Sequence, residues 1–133
     1  MVWKNSKSRV VVDLRRVNKV LYLDAYPLPK QDTILVVMGG AIVFSLLNIT
    51  KGFFQQEIEP KDQWKIAFVT PYRGYEMLTV SIIGLANSLG FFQHRMEDLF
   101  AGYLWLFILV YIDDILIFSR LQEEHLQYLK KVL

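Results

Sequence analysis

Leu109-Val110-Tyr111-Ile112-Asp113-Asp114-Ile115-Leu116-Ile117 decides how the rest of this chain is read. Two apolar, β-rich runs flank a pair of aspartates. Val, Ile, Leu and Tyr suit a pleated, half-buried surface, so the spacing predicts a hairpin. Its tip carries two adjacent carboxylates that burial alone does not explain. An unpaired buried carboxylate costs several kcal/mol, so these groups must be solvated, paired or bound to a metal. Anionic oxygens on a rigid hairpin are a means of holding magnesium against a phosphate. The plainer alternative is a turn that uses Asp because Asp is a common turn residue.

Working outward, Gly84-Leu-Ala-Asn87-Ser88 opens a helix with Leu89, Phe92, Met96 and Leu99 at helical spacing; Asn87 or Ser88 can cap it and Gly102 can end it. After the hairpin, Ser119-Arg-Leu-Gln122 reads as a capping box. Glu123 and Glu124 then fall in the first turn and Lys130 and Lys131 in the last, with Leu126, Leu129 and Leu133 as the apolar face. Upstream, Ile42–Leu47 is an apolar strand ending at Asn48, and Phe53–Gln56 is a short helical turn. Lys65–Val69 and Tyr75–Val80 form a hairpin around Pro71–Gly74. Asp32 caps a helix through Met38; Asp24–Pro29 is extended, because each proline biases its predecessor away from helix. Arg9–Leu14 reads as a strand. Strands alternating with a few helices predict an α+β sandwich.

The chain has 133 residues, 53% hydrophobic and 14% aromatic, with net charge +2. That bounds it to one domain or part of one, with apolar surface that belongs against parts of a larger protein. Lys4, Lys7, Arg9, Arg15, Arg16 and Lys19 crowd the N-terminal segment with only Asp13 opposing. Such a patch favours phosphates; otherwise it is a solvated strand edge. There are no cysteines, which excludes disulfides and cysteine zinc sites. Met1-Val-Trp-Lys-Asn-Ser-Lys has no apolar run of the signal-peptide kind and Tyr103–Ile112 is too short to span a bilayer, so neither a signal peptide nor a membrane partner is expected. His94 and His125 read as helix-surface histidines, and Phe91-Phe92 as core.

Five ordered segments carry a family resemblance: Arg9-Val-Val-Val-Asp-Leu-Arg15-Arg-Val-Asn18, Asp24-Ala-Tyr-Pro-Leu-Pro29, Phe44-Ser45…Gly52-Phe-Phe-Gln55, Gly84-Leu-Ala-Asn87…Phe92-Gln93 and Tyr111-Ile-Asp-Asp114. In order and spacing they resemble the motifs of reverse transcriptases, most closely the gypsy-type LTR-retrotransposon branch. The resemblance implies a right-hand polymerase fold across residues 1–133, an antiparallel sheet with helices on one face. Roughly residues 1–40 and 55–80 would be fingers or palm-proximal, and 41–54 and 81–133 palm, with thumb and RNase H absent.

The resemblance also implies roles. Asp113 is a metal-binding catalytic position of a two-metal magnesium site, with Asp114 its acidic neighbour. Arg9 lies against the incoming triphosphate, where a planar, always-charged fork suits the ligand; the alternative is a surface cation. Asp13 and Arg15 shape the same nucleotide pocket, or else form a surface ion pair. Phe53 stacks under the sugar, or simply packs. Gly84, Asn87 and Gln93 lie under the nascent base pair and near the template, with a helix cap the alternative for Asn87. The implied partners are an RNA or DNA template–primer, dNTP and the remainder of the element polyprotein, in an intracellular setting.

One position departs from the pattern in a way that matters. Where the family has a second metal-binding aspartate, this chain reads Leu47-Asn48-Ile49. Asn48 keeps the shape and loses the charge that two-metal phosphoryl transfer draws on. Leu89 stands where relatives usually have proline, and Ile83 where a pocket residue such as an aromatic is common. The expectation is an enzyme by descent whose catalysis is impaired. The alternatives are a non-catalytic nucleic-acid-binding or protein-interaction module, or an inert relic.

Overall fold

In the computed structural model the described residues are 2–4, 7–9, 12–24, 26–70, 72 and 74–133, with backbone alone described for 2–4 and 7–9. The chain divides into two compact units, one formed by Met1–Leu23 and Phe53–Ser88, the other by Asp24–Gly52 and Leu89–Leu133.

The second unit is built on a three-stranded antiparallel sheet in the order β3-β7-β6, from β3 (Val43–Asn48), β6 (Ile108–Tyr111) and β7 (Asp114–Ser119). The register pairs Asn48 with Asp114 and Ser45 with Ile117, and pairs Val110 with Ile115. Side chains alternate across a strand, so this register sorts the residues onto two faces. Ser45, Leu47, Ile108, Val110, Ile115 and Ile117 share one face. Phe44, Leu46, Asn48, Tyr111, Asp114 and Leu116 share the other. Ile108, Val110, Ile115 and Ile117 are buried, whereas Phe44 and Leu46 are exposed. The helices of this unit are α2 (Gln31–Val37), most of α3 (Ser88–Leu99) and α4 (Gln122–Val132). Tyr128 of α4 stacks on Phe107 with ring centroids 4.0 Å apart. The α+β class and the antiparallel sheet are as the sequence predicts.

The first unit holds two small ribbons, β1 (Val2–Lys4) with β2 (Lys7–Arg9) and β4 (Phe68–Thr70) with β5 (Gly74–Glu76). It also holds the short helix α1 (Arg15–Asn18) and two 3-10 turns, Gly52–Gln55 (whose first residue falls in the second unit) and Pro60–Ile66.

Several expectations need correction. The strand predicted over Arg9–Leu14 is observed only at its start, as the end of β2. Val10 and Val11 lie outside the described residues, and Val12–Leu14 is not extended sheet, although Leu14 is buried. Asp32 sits inside the first turn of α2, whose cap position is Lys30. Ser119 closes β7 instead of capping α4, which begins after Leu121. Along α3, Phe92 and Met96 are buried but Leu99 and Phe91 are exposed. Leu126 and Leu133 are likewise exposed, and the residue α4 buries is His125. None of the described helices is long and apolar enough to cross a membrane.

Candidate active site

The hairpin between β6 and β7 turns on Ile112 and Asp113. Ile112 has φ +56°, a left-handed conformation unusual for a β-branched residue. A two-residue hairpin turn takes a positive φ at its first central position, where glycine is the ordinary occupant. The strand end of β3 meets this turn. The Ile49 amide donates to the Asp113 carbonyl at 2.9 Å, and Asn48 Nδ2 donates to Asp114 Oδ1 at 2.8 Å. Strand end and hairpin tip therefore converge, and the side chain that Asn48 touches is Asp114.

Asp113 is in a different state. Its Oδ1 is buried with no hydrogen-bond partner among the described residues. Burial, and then the neighbouring Asp114 charge, push its carboxyl above the usual carboxylate range. Such an oxygen is short of positive charge, and a cation at the tip would supply it. No cluster of three or more His, Asp or Glu side chains assembles among the described residues. Two carboxylates fit magnesium, which uses one or two and completes its shell with water and phosphate oxygens.

Gln93 is completely buried. Its Nε2 donates to the Val110 carbonyl at 2.9 Å and to Glu97 Oε1 at 2.6 Å, while its Oε1 accepts the Ile112 amide at 2.7 Å. A side chain with no exposed surface thus braces the turn.

The remaining candidates belong to the first unit. Asp13 and Arg15 pair with each other in a forked arrangement, Nε to Oδ1 at 2.9 Å and Nη2 to Oδ2 at 2.6 Å. That bond holds the Asp13 carboxyl well below the usual range, yet both side chains are exposed, so the pair itself adds little stability. Phe53 is buried. Gly84 has φ +110°, which only glycine adopts without strain, and its carbonyl accepts from Asn18 Nδ2 at 2.8 Å. Asn18 Oδ1 also accepts the Ala86 amide at 3.0 Å, and Asn87 Nδ2 donates to the Tyr22 carbonyl at 2.7 Å. Asn18 thus clamps the segment leading into α3. It stands in a quoted motif, but nothing in its own spacing marks it as a clamp. The side chain of Arg9 lies outside the described residues.

Comparison with known proteins agrees with this geometry. A family model described as "Reverse transcriptase (RNA-dependent DNA polymerase)" matches residues 3–133. The retrovirus-related Pol polyprotein from transposon 297 of Drosophila melanogaster is 38% identical over 127 residues, 96% of this chain and 12% of that protein. The enzymatic polyprotein of cauliflower mosaic virus (strain Strasbourg) is 34% identical over 130 residues, 98% of this chain and 19% of that one. Among solved structures, the foamy viral protease-reverse transcriptase in complex with RNA/DNA hybrid superposes with a TM-score of 0.76 at 30% identity. That match covers 92% of this chain and 16% of the other. The same protein in complex with dsDNA gives a TM-score of 0.76 at 28% identity, covering 98% of this chain and 27% of the other. The chain spans less than a fifth of the length of these curated relatives. With the family model matching nearly every residue, the chain belongs to the reverse transcriptase family, as a domain homologous to part of the Pol polyproteins of retroelements.

Proposed function

We propose that this chain is the fingers-and-palm part of a gypsy-type LTR-retrotransposon polymerase, organised for template-directed DNA synthesis on RNA or DNA. Roughly residues 1–40 and 55–80 are assigned to the fingers or palm-proximal part, and 41–54 and 81–133, with the Asp113-Asp114 hairpin, to the palm; Arg9, Asp13, Arg15, Phe53, Gly84 and Asn87 serve nucleotide and template. The chain's partners are the template–primer, dNTP and the rest of the element polyprotein. The gypsy-type assignment draws support from the transposon 297 and opus relatives, at 38% and 37% identity.

One observation carries this reading: the end of β3 meets a hairpin tip where Asp113 keeps a buried oxygen without a partner. Asp113 and Asp114 are the residues to hold magnesium, which supplies charge stabilisation for phosphoryl transfer. The chain's own contribution is the rigid presentation of those carboxylates.

The same tip argues for impaired catalysis. Asn48 turns its amide nitrogen to Asp114. An amide N–H cannot ligate a cation, and this bond also occupies one Asp114 oxygen. If the missing charge removes ~4 kcal/mol of transition-state stabilisation, the rate falls roughly a thousandfold. The experiment is nucleotide incorporation against magnesium concentration, with this sequence and its Asn48→Asp variant built into a complete fingers–palm–thumb context. Asn48→Asp is expected to raise incorporation by orders of magnitude while leaving primer–template affinity nearly unchanged, because that affinity rests on cationic contacts elsewhere. Equal turnover by the two proteins refutes the claim of impairment.

The Asn48–Asp114 bond also favours a second reading, a non-catalytic nucleic-acid-binding module, since it settles part of the tip without a metal. Magnesium-independent binding of an RNA–DNA duplex that weakens with salt, with no gain of incorporation in Asn48→Asp, selects that alternative.

A further inference from the structure

Gln93 holds the hairpin turn, and a second layer holds Gln93. Its Nε2 bond to Glu97 uses only one of the two Glu97 oxygens. The other, Oε2, accepts from Tyr26 Oη at 2.6 Å. Tyr26 is seated for this by the helix itself. A Cβ built on Gly90 would lie 2.9 Å from the Tyr26 Cβ, so only glycine lets Tyr26 approach α3 this closely. Gly90, Gln93, His94 and Glu97 stand at positions i, i+3, i+4 and i+7, one face of the helix. The Tyr26 ring makes an edge-on contact with His94 at 5.0 Å, which fixes its direction along that face. The Glu97 carboxylate beside it pushes the Tyr26 hydroxyl up to about 12, so the phenol remains a donor at every ordinary pH.

The chain of donors has only one orientation. Both Gln93 Nε2 hydrogens have acceptors, and Gln93 Oε1 meets an N–H. Rotating the amide by half a turn would set Nε2 against the Ile112 N–H and Oε1 against both the Val110 carbonyl and the Glu97 carboxylate. Glu97 therefore joins the Val110 carbonyl and the Ile112 N–H in fixing which end of Gln93 faces the turn. The turn needs such a hold, because Ile112 occupies a left-handed position that a β-branched residue leaves when it can. The next residue is Asp113.

We infer that Tyr26 and Glu97 are positioning residues: through Gln93 they hold Ile112 left-handed and so set the direction in which Asp113 presents its carboxylate. The inference rests on the metal-hairpin reading of Asp113 for its consequence, but the restraint on Ile112 can be measured without it.

The experiment uses the 15N-labelled 133-residue chain and follows two readouts. The first is hydrogen exchange of the Ile112 amide, with the Ile117 amide of β7 as the internal reference for general loosening. Glu97→Ala is expected to speed Ile112 exchange about tenfold relative to Ile117, and Tyr26→Phe to speed it less but measurably. Tyr26→Phe removes one hydroxyl and keeps the ring, so it keeps the test open if Glu97→Ala fails to fold. Equal changes at Ile112 and Ile117 mean ordinary structural loss and overturn the inference.

The second readout is Mn2+ line broadening at the Asp113 and Asp114 amides. Glu97→Ala is expected to raise the manganese concentration needed by roughly the same factor. Adding Ile112→Gly, which adopts the left-handed turn without restraint, should abolish the Glu97→Ala effect. If the double variant binds as poorly as Glu97→Ala alone, Glu97 does not act through the turn. If manganese broadens neither aspartate in the unmodified chain, the metal reading of the hairpin fails, while the Ile112 exchange still decides the positioning role.

Discussion

At the scale of single residues, this protein shows how much depends on where a polar atom finds its partner. Asn48 differs from aspartate by one NH2 group in place of an oxygen. That group makes the side chain a donor bonded to Asp114. Gln56 presents the opposite case. Its backbone is well held, with the amide donating to the Phe53 carbonyl at 3.2 Å and the carbonyl accepting from Ser81 at 2.7 Å. Its side-chain Nε2 and Oε1 are both buried with no partner among the described residues. Each buried unsatisfied polar atom costs about 1–3 kcal/mol, whereas an apolar side chain of similar size carries no such penalty. Gln56→Leu is therefore expected to stabilise the chain by about 1–2 kcal/mol and to raise the urea midpoint at unchanged slope. A lower midpoint would show that the amide is satisfied after all. Most single substitutions destabilise, so an increase at a buried polar site is a demanding outcome to require.

At the scale of elements, the docking of α4 on the sheet depends on a histidine that its sequence context disguised. His125 is only 4% exposed and sits between two serines, Nε2 to Ser45 Oγ at 2.8 Å and Nδ1 to Ser119 Oγ at 3.0 Å. Ser119 Oγ donates to the Leu121 carbonyl, so it receives the Nδ1 hydrogen, and Nε2 accepts from Ser45. The ring thereby joins β3, β7 and α4 in one hydrogen-bonded network. His125→Ala leaves both hydroxyls short of a partner and opens a void; it should cost about 2–4 kcal/mol in urea or thermal unfolding. A loss below about 0.5 kcal/mol, typical of a surface site, would restore the reading of His125 as an exposed histidine. The reason the sequence misled here is physical. Ser45 lies 80 residues from His125, and only the pairing of β3 with β7 brings it near. The leucines at 126 and 133 lie at helical spacing but face away from the core, so periodicity drew the wrong face. What was legible was the hairpin, β3 and the 3-10 turn at Gly52–Gln55, because short continuous apolar runs rich in β-branched residues and a Gly-Phe-Phe turn leave few alternatives. The ribbon of β1 and β2 was not legible, since Lys7-Ser8-Arg9 carries no apolar alternation to signal a strand. Of the candidate site, the meeting of Asn48 with the Asp113-Asp114 tip was readable from the motifs, whereas the brace by Gln93, Glu97 and Tyr26 was not. Two of its bonds end on the Val110 carbonyl and the Ile112 amide, and another joins Tyr26 to Glu97, 71 residues away, so no sequence pattern marks them.

At the scale of the molecule, more than half of the residues are hydrophobic, and much of that apolar surface stays uncovered. In the sheet-bearing unit the clearest case is β3. It is an edge strand, and its outward residues Ile42, Phe44 and Leu46 are exposed on the same side as Leu116 of β7. An edge with unpaired backbone groups and an apolar face is a template for pairing with another chain, and natural edges are usually blunted by a charge or a proline. β3 carries neither, since its sequence is Val-Phe-Ser-Leu-Leu-Asn. The isolated chain is therefore expected to self-associate at concentrations of about tens of micromolar, seen as a concentration-dependent rise in weight-average mass by sedimentation and as binding of an apolar dye. Leu46→Lys puts a charge at the centre of that edge, on the exposed side, where it disturbs no buried contact. It should shift the association to concentrations about tenfold higher while leaving the urea midpoint within about 0.5 kcal/mol of the parent. The distinction matters because the other uncovered residues, such as Trp64 and Tyr72, lie in the other unit, and Leu46→Lys leaves them untouched. If Leu46→Lys associates as readily as the parent, the β3 edge is not the adhesive surface, and the exposed residues of that other unit become the place to substitute next.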